Sequence, residues 1–248
     1  MKQVTYTVIK NENIARGTYK MCLSGDVSDI TAPGQFINIA LEGRYLRRPI
    51  SVHDVDGDTV TIIYKVVGQG TEEMTRLPIG AQLDVLTGLG NGFDTSKSGD
   101  SPLLLGGGAG VAPLYLLAKC LRAEGKHVTA VLGFGSSGEV FGADELLALG
   151  CDVRITTNDG SAGVRGFVTD ALPEAYTYTY VCGPEPMMRA VYKKAKTSGQ
   201  YSFEARMGCG FGACLGCSCK TVTGYKRICK DGPVLEKEEI LWKDGMKD

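Results

Sequence analysis

Five of the nine cysteines crowd into one short stretch near the end of the chain: Cys209, Cys214, Cys217, Cys219 and Cys229. Across Gly208-Cys209-Gly210-Phe211-Gly212-Ala213-Cys214-Leu215-Gly216-Cys217 the spacing is C-x4-C-x2-C, and Cys229 follows downstream. That is the spacing of plant-type 2Fe–2S loops, which take a fourth cysteine from further along. Thiolates are soft ligands suited to iron–sulfur clusters. A loop that wraps a cluster must aim backbone N–H groups at sulfur, and Gly208, Gly210, Gly212 and Gly216 let it bend that way. Structural zinc is the alternative, but zinc ribbons favour two C-x-x-C pairs, and here a clustered triple stands with one outlier. Either Cys217 or Cys219 could be the third ligand. Spacing favours Cys217, so the expected metal ligands are Cys209, Cys214, Cys217 and Cys229, with Cys219 spare.

Three further stretches have the chemistry of phosphate and ring recognition. Leu103-Leu104-Leu105-Gly106-Gly107-Gly108-Ala109-Gly110 runs from an apolar strand towards a helical pattern. Such a turn presents N–H groups and a helix N-terminus to a phosphate, although the spacing departs from G-x-G-x-x-G. Cys182-Gly183-Pro184 closes a later strand, and ligands of open α/β sheets bind at the carboxyl ends of strands. In the first half, Arg48-Pro49-Ile50-Ser51 offers a guanidinium for a pyrophosphate and a hydroxyl for a flavin ring edge. Gly68-Gln69-Gly70-Thr71 opens a short helix expected over TEEMTRLP and provides another cradle.

The elements that must hold these residues change character along the chain. The first ~95 residues give five strand-like runs (QVTYTVIK, GTYKMCLS, GQFINIAL, RRPISVHD, DTVTIIYKVV) parted by turn residues, which predicts a small barrel or sandwich. The polar stretch NGFDTSKSGDSP reads as a linker. Strand and helix patterns then alternate, the signature of a parallel sheet with crossover helices. The expected parts are a β-barrel at 1–96, an α/β nucleotide-binding domain at 97–200 and a small cysteine-bearing module at 201–248. With 248 residues, 43 % hydrophobic and 22 % charged, the composition is that of an ordinary globular protein. A net charge of −1, without a basic run, gives no sign of nucleic acid or of an anionic membrane. The N-terminal MKQVTYTVIKNENI lacks the apolar core of a signal peptide, and no stretch approaches a membrane span, so a cytoplasmic protein is expected.

In their order, RPIS, GQGT, GGGAGVAPL and CGPEPMM resemble the ferredoxin–NADP reductase superfamily over residues ~1–200. The tail EARMGCGFGACLGCSCKT…RICKDGPVLE is similar to that of the electron-transfer subunits of NAD-dependent dihydroorotate dehydrogenases. The resemblance implies a flavin-binding β-barrel, an α/β nucleotide-binding domain and a C-terminal 2Fe–2S module. It implies FAD held by Arg48, Pro49, Ile50 and Ser51, by Ile63, Tyr64 and Lys65, and by Gly70 and Thr71. Relatives often carry arginine where Lys65 stands, and lysine loses the bidentate fork. A dinucleotide would lie along Gly106, Gly107, Gly108, Gly110, Gly183 and Pro184, with Cys182 close to the flavin face as a catalytic residue. The partner implied is an FMN-containing catalytic subunit that oxidises dihydroorotate, in a heterotetramer of two of each chain.

The chemistry of the parts agrees with this order. Nicotinamides exchange two electrons as hydride, clusters pass single electrons, and a flavin does both, so it belongs between them. The reading is therefore electron flow from the partner's FMN through the cluster and FAD to NAD⁺. NAD is favoured over NADP because no Lys or Arg lies between Val128 and Val153, where a 2′-phosphate would be read, and Glu139 is acidic. Of the two histidines, His127 is expected to be structural, and His53 is a candidate neighbour of the flavin. Neither a nucleophilic triad nor a paired-carboxylate motif is visible. Two other readings remain: a related flavin and iron–sulfur subunit of a bifurcating or hydrogenase complex, and a non-enzymatic redox sensor.

Overall fold

The computed structural model describes residues 1–242. Its first half closes six antiparallel strands into a barrel: β1 (Lys2–Ala15), β2 (Thr18–Ser24), β3 (Phe36–Ile39), β4 (Arg48–Asp56), β5 (Thr59–Lys65) and β6 (Gln82–Leu89). Going round the barrel the order is β1-β2-β5-β4-β3-β6, and β6 returns to β1. Five of these strands match the alternating runs. The sixth, β6, closes the barrel and was missed, although QLDVLTGL alternates regularly between exposed and buried positions. The interior is filled by inward residues such as Tyr6, Met21, Leu23, Ile37 and Ile62. A single short helix, α1 (Gln69–Met74), follows β5 and begins two residues before the expected one.

The stretch expected to be a linker is packed. Asp94 caps a 3-10 turn at Thr95–Lys97, and Phe93 is buried edge-on against Tyr180. The second half is a seven-stranded sheet built on β7 (Leu103–Gly107), β8 (Thr129–Phe134), β9 (Asp152–Thr157), β10 (Val164–Arg165), β11 (Thr179–Cys182) and β12 (Gly199–Ser202). These six run parallel in the order β10-β9-β8-β7-β11-β12. Helices α2 (Leu114–Ala123), α3 (Ala143–Ala148) and α4 (Glu185–Lys194) form the crossovers.

Successive strands step outward from β7 to β10, then restart on the other side with β11. The direction reverses between β7 and β11, and a crevice opens at such a reversal beyond the strand ends. The two glycine-bearing turns, after Leu105 and after Cys182, flank that point.

The cysteine-rich tail is tied to both halves. A hairpin of β13 (Ser218–Thr221) and β14 (Gly224–Arg227) carries Cys219, and β15 (Val234–Glu236) joins the sheet antiparallel to β12. The tail is thus no free appendage: its last strand is an edge of the nucleotide-type sheet. Among the described residues no helix is long and apolar enough to cross a membrane.

Candidate functional site: two clefts and a thiolate loop

Two cavities meet where the barrel faces the sheet. The first, about 340 Å³, is lined by Arg48, Pro49, Ile50 and Ser51 of β4, Ile63, Tyr64 and Lys65 of β5, and Thr71 of α1. Cys182 closes it from the sheet side. The second, about 480 Å³, lies over the strand reversal and is lined by Gly107, Gly108, Gly133, Gly135, Pro184 and Met187, among others. Lys65 borders both. The structure therefore brings RPIS, the β5 end and Thr71 to one cavity, and two of the Gly106–Gly110 glycines together with Pro184 to the other.

Arg44, Arg47 and Arg48, around the start of β4, are sorted by their partners. Arg44 pairs with Glu73 and Arg47 with Asp84, which commits both to structure. Arg48 makes no ion pair among the described residues; its guanidinium lies against Gly70, where a Cβ would come within 2.1 Å of Nε. Thr71 Oγ1 accepts N–H bonds from Val67 and Gly68 at 3.0 and 3.2 Å, fixing the turn beside it. An arginine held without a carboxylate, next to a turn that opens a helix, fits the pyrophosphate of a dinucleotide. These residues suit FAD.

In the larger cavity the backbone itself is the ligand surface. Gly110 packs so closely on the Cys182 carbonyl that a Cβ would stand 2.3 Å from its oxygen, locking the two turns together. Gly108 turns with φ +51 and has nothing within 4 Å of where a side chain would be. Among the described residues Lys65 is the lone Lys or Arg on this cavity, and its ammonium is engaged by Glu139 at 3.1 Å. The site thus offers a 2′-phosphate no free cation and one opposing carboxylate, which favours NAD.

Cys182 is 3 % exposed at the end of β11, registered between Gly106 of β7 and Ser202 of β12. Burial pushes its thiol up to about 12, so it is a neutral, uncharged wall of the flavin cleft. Glu204, which sequence reasoning passed over, lines the same cavity. It is open to the cleft, yet the protein mass around its carboxyl raises its pKa. Nothing in the motif pattern marked it, because it follows β12 as a lone carboxylate.

His53 does not line the flavin cleft. It is 2 % exposed between barrel and sheet, with Nδ1 2.8 Å from the Ala112 carbonyl and its ring stacked on Tyr115. Its placement is that of a domain-joining core residue. His127 is exposed and precedes β8, with its N–H bonded to the Asp100 carbonyl.

The cysteine loop is arranged in pairs. Cys209 and Cys214 interact, as do Cys217 and Cys229, and the Cys229 thiol also feels Cys209. The Cys209 sulfur accepts N–H bonds from Ala213 at 3.2 Å and Cys214 at 3.5 Å. Gly216 N–H donates to the Cys214 sulfur and Cys229 N–H to the Cys217 sulfur. Burial works against ionisation of Cys209, yet the N–H groups of Cys214, Phe211 and Ala213 bring its pKa down to about 6. Among the described residues no three metal-capable side chains converge on one point. Two cysteine pairs, each served by N–H groups, fit a binuclear cluster with two ligands per iron better than a single tetrahedral zinc. Cys219 sits apart on β13, registered with Lys226, where it takes no N–H from the loop.

Comparison with known proteins decides the family. Residues 204–241 match the iron–sulfur cluster binding domain of dihydroorotate dehydrogenase B. The chain is 42 % identical to a Fusobacterium nucleatum protein, with 97 % of this chain and 99 % of that one aligned. It is 40 % identical to one from Shouchella clausii, over 97 % and 98 %. Both are dihydroorotate dehydrogenase B (NAD⁺) electron transfer subunits. The chain belongs to that family. A solved structure from work on flavin-based bifurcation, the NADH-dependent reduced ferredoxin–NADP oxidoreductase, superposes with TM-score 0.87 at 30 % identity, covering 96 % of this chain and 90 % of that one. A flavohemoglobin with bound FAD shares the fold at TM-score 0.69. The bifurcating relative shows how far one architecture serves different complexes, but the near-full-length relatives place this chain among the dihydroorotate dehydrogenase subunits. It is an electron-transfer subunit of an oxidoreductase with FAD, 2Fe–2S and NAD.

Proposed function

We propose that this chain receives electrons from the FMN of a dihydroorotate-oxidising catalytic subunit at its thiolate loop and delivers them to NAD⁺ at the strand reversal. The observation that carries the proposal is a shared wall. The flavin cleft is lined on one side by Arg48, Ser51 and Lys65, and on the other by Glu204, Ala205, Met207 and Pro233 of the cysteine-bearing tail. The cleft therefore abuts the nucleotide cavity at Lys65 and the cluster segment at Met207, two residues before Cys209.

When bound, FAD exchanges hydride and single electrons, and the 2Fe–2S centre passes single electrons. Arg48 would neutralise the pyrophosphate, and Ser51 would donate to the ring edge. Gly107, Gly108 and the start of α2 would seat the dinucleotide. Cys182 would hold the nicotinamide face in an apolar setting without adding charge, and Glu204 would stand beside it. Cys209, Cys214, Cys217 and Cys229 would hold the cluster. We read 1–96, 97–200 and 201–248 as the corresponding functional parts.

Phe211 and Leu215 are 41 % and 62 % exposed on the loop that carries the ligands. Their exposure and their small neighbours permit close approach, so this loop would form part of the surface that meets the catalytic subunit. A heterotetramer of two of each chain would place one loop on each partner. A cytoplasmic setting fits a chain whose nine cysteines are all unpaired.

The test uses the chain with FAD and cluster, alone and co-purified with the FMN subunit. Alone, it should oxidise NADH with a dye and leave dihydroorotate untouched; together, dihydroorotate should reduce NAD⁺. Phe211→Glu should weaken assembly by several kcal/mol, roughly, because it buries an unpaired carboxylate. Oxidation of dihydroorotate by the isolated chain would sink the relay. Unaltered assembly of the variant would move the interface elsewhere.

A further inference from the structure

One barrel side chain reaches the cluster loop. Asn38 lies on β3, 1 % exposed, registered opposite Pro49 on β4 and two residues beyond Phe36. Residues two apart on a strand share a face. Phe36 and Pro49 line the flavin cleft, so Asn38 extends that lined face towards the tail. Its Nδ2 donates to the Cys209 carbonyl at 3.4 Å.

The neighbouring Gly210 is buried with φ +80, and a Cβ there would stand 2.3 Å from Asn38 Nδ2. The amide thus fills the space a side chain at 210 would take. Asn38 Oδ1, meanwhile, is buried with no hydrogen-bond partner. An orphaned buried acceptor carries a desolvation penalty, which an apolar residue of the same size would avoid. A polar group kept at such a cost points to work on its donor side.

We infer that Asn38 is a positioning residue for electron transfer, holding the Cys209–Gly210 segment against the flavin-lining face and turning the positive end of its amide towards a cluster ligand. Groups around the ligands orient them and set the potential of the centre. The amide is bonded to the Cys209 main-chain carbonyl and not to its sulfur, but a donor dipole at that residue still favours the reduced, more negative cluster, so losing it lowers the potential. A carboxylate in its place lowers it further. The inference rests on the electron-relay reading above.

The test compares Asn38→Leu, Asn38→Ser and Asn38→Asp with the wild-type chain, each loaded with FAD and cluster. Two quantities are measured: the cluster midpoint by spectroscopic redox titration, and the rate of cluster reduction by NADH divided by the NADH-to-dye rate of the same sample. The wild-type cluster should be reducible by NADH; if it is not, the relay reading fails and not this inference. The expected order of midpoints is wild type, then Leu, then Asp. The Leu variant should shift the one-electron equilibrium about tenfold, or ~59 mV, and its rate ratio should fall. Gly210→Ala, which crowds the amide from the opposite side, should shift the midpoint in the same sense. Asn38→Ser, too short to reach Cys209, should follow Leu and decides the matter if Leu does not retain its cluster. Midpoints and spectra equal to wild type in the variants that retain a cluster would overturn the inference. So would loss of FAD with an unchanged cluster.

Discussion

Cys182 and Cys209 are the same residue type in opposite surroundings. Cys182 ends a central parallel strand, is walled in by the sheet and the barrel, and is held neutral by burial at about 12. Cys209 stands in a glycine-rich loop, where N–H groups bring it to about 6 despite the opposing pull of burial. The difference is one of support. At the strand reversal the site is made by the sheet: backbone register fixes Gly106, Cys182 and Ser202 side by side whether or not a ligand is present. In the loop the proposed site is made by local contacts: N–H groups point at the cysteine sulfurs, which stand in two pairs. The first region should therefore keep its shape without its cofactor, whereas the second should lose order when the metal is removed.

The sharpest way to break this contrast is at a loop thiol. Cys214→Ser should remove the cluster altogether, taking iron from about two per chain to near zero and abolishing dihydroorotate-driven NAD⁺ reduction. FAD content and NADH-to-dye turnover should persist, because residues 208–217 of the loop line neither cavity. Cys219→Ser, on the hairpin strand outside the two pairs, should retain full iron and sulfide. Iron and sulfide analysis with visible spectra decides both. If Cys219→Ser empties the site while Cys217→Ser fills it, the pairing is wrong.

A smaller effect is expected at the strand-end thiol. Cys182→Ala removes no charge and leaves every loop contact in place. Its effect should be confined to how the nicotinamide is seated. NADH-to-flavin hydride transfer should slow roughly tenfold, equivalent to ~1.4 kcal/mol, with cluster content unchanged. Stopped-flow reduction at several NADH concentrations separates slower transfer from weaker binding. Unaltered transfer would make Cys182 a packing residue only.

The two regions also differed in how legible they were. The loop stood out from spacing alone, since cysteine order and glycine content are local facts. RPIS and the glycine turns gained meaning from their sequential order, and the parallel sheet followed from alternating patterns. What stayed hidden was non-local. β6 alternates well, but it sits between two turns and was passed over. β15 is three residues long and counts only because β12 offers it an edge. Glu204 and Asn38 are single polar residues whose roles exist only once the tail folds back onto the barrel. His53 was drawn towards the flavin by its place after Ser51. Residues two apart on a regular strand share a face, which would put His53 beside Ser51, but the β4–β5 register shifts between Val52 and Asp54 and His53 points into the domain seam instead.

That seam holds the strand-end site in shape, and it gives the weakest and most local prediction. Glu145 of α3 pairs with Lys20 of β2 and lies 3.6 Å from His53 Nε2, so one carboxylate on the sheet domain meets two barrel side chains. His53 first, then Lys20, hold its carboxyl at about 2 against the opposing pull of burial. A depressed carboxylate stabilises the fold above its unfolded value, near 4.5, and that contribution disappears as pH falls towards 2. Because the Glu145 side chain is 37 % exposed, solvent screening reduces the contribution to about 1 kcal/mol. Glu145→Gln should therefore lower stability at neutral pH by that amount and flatten the stability loss between pH 4.5 and 2. Denaturant melts across that range, on chain lacking the cluster, isolate the seam from the loop. The variant should also loosen the flavin cleft, raising the apparent FAD dissociation constant a few-fold while leaving cluster content untouched. An equal loss of cluster would mean that the loop leans on the same seam, and the separation between a sheet-built and a ligand-built site would not hold.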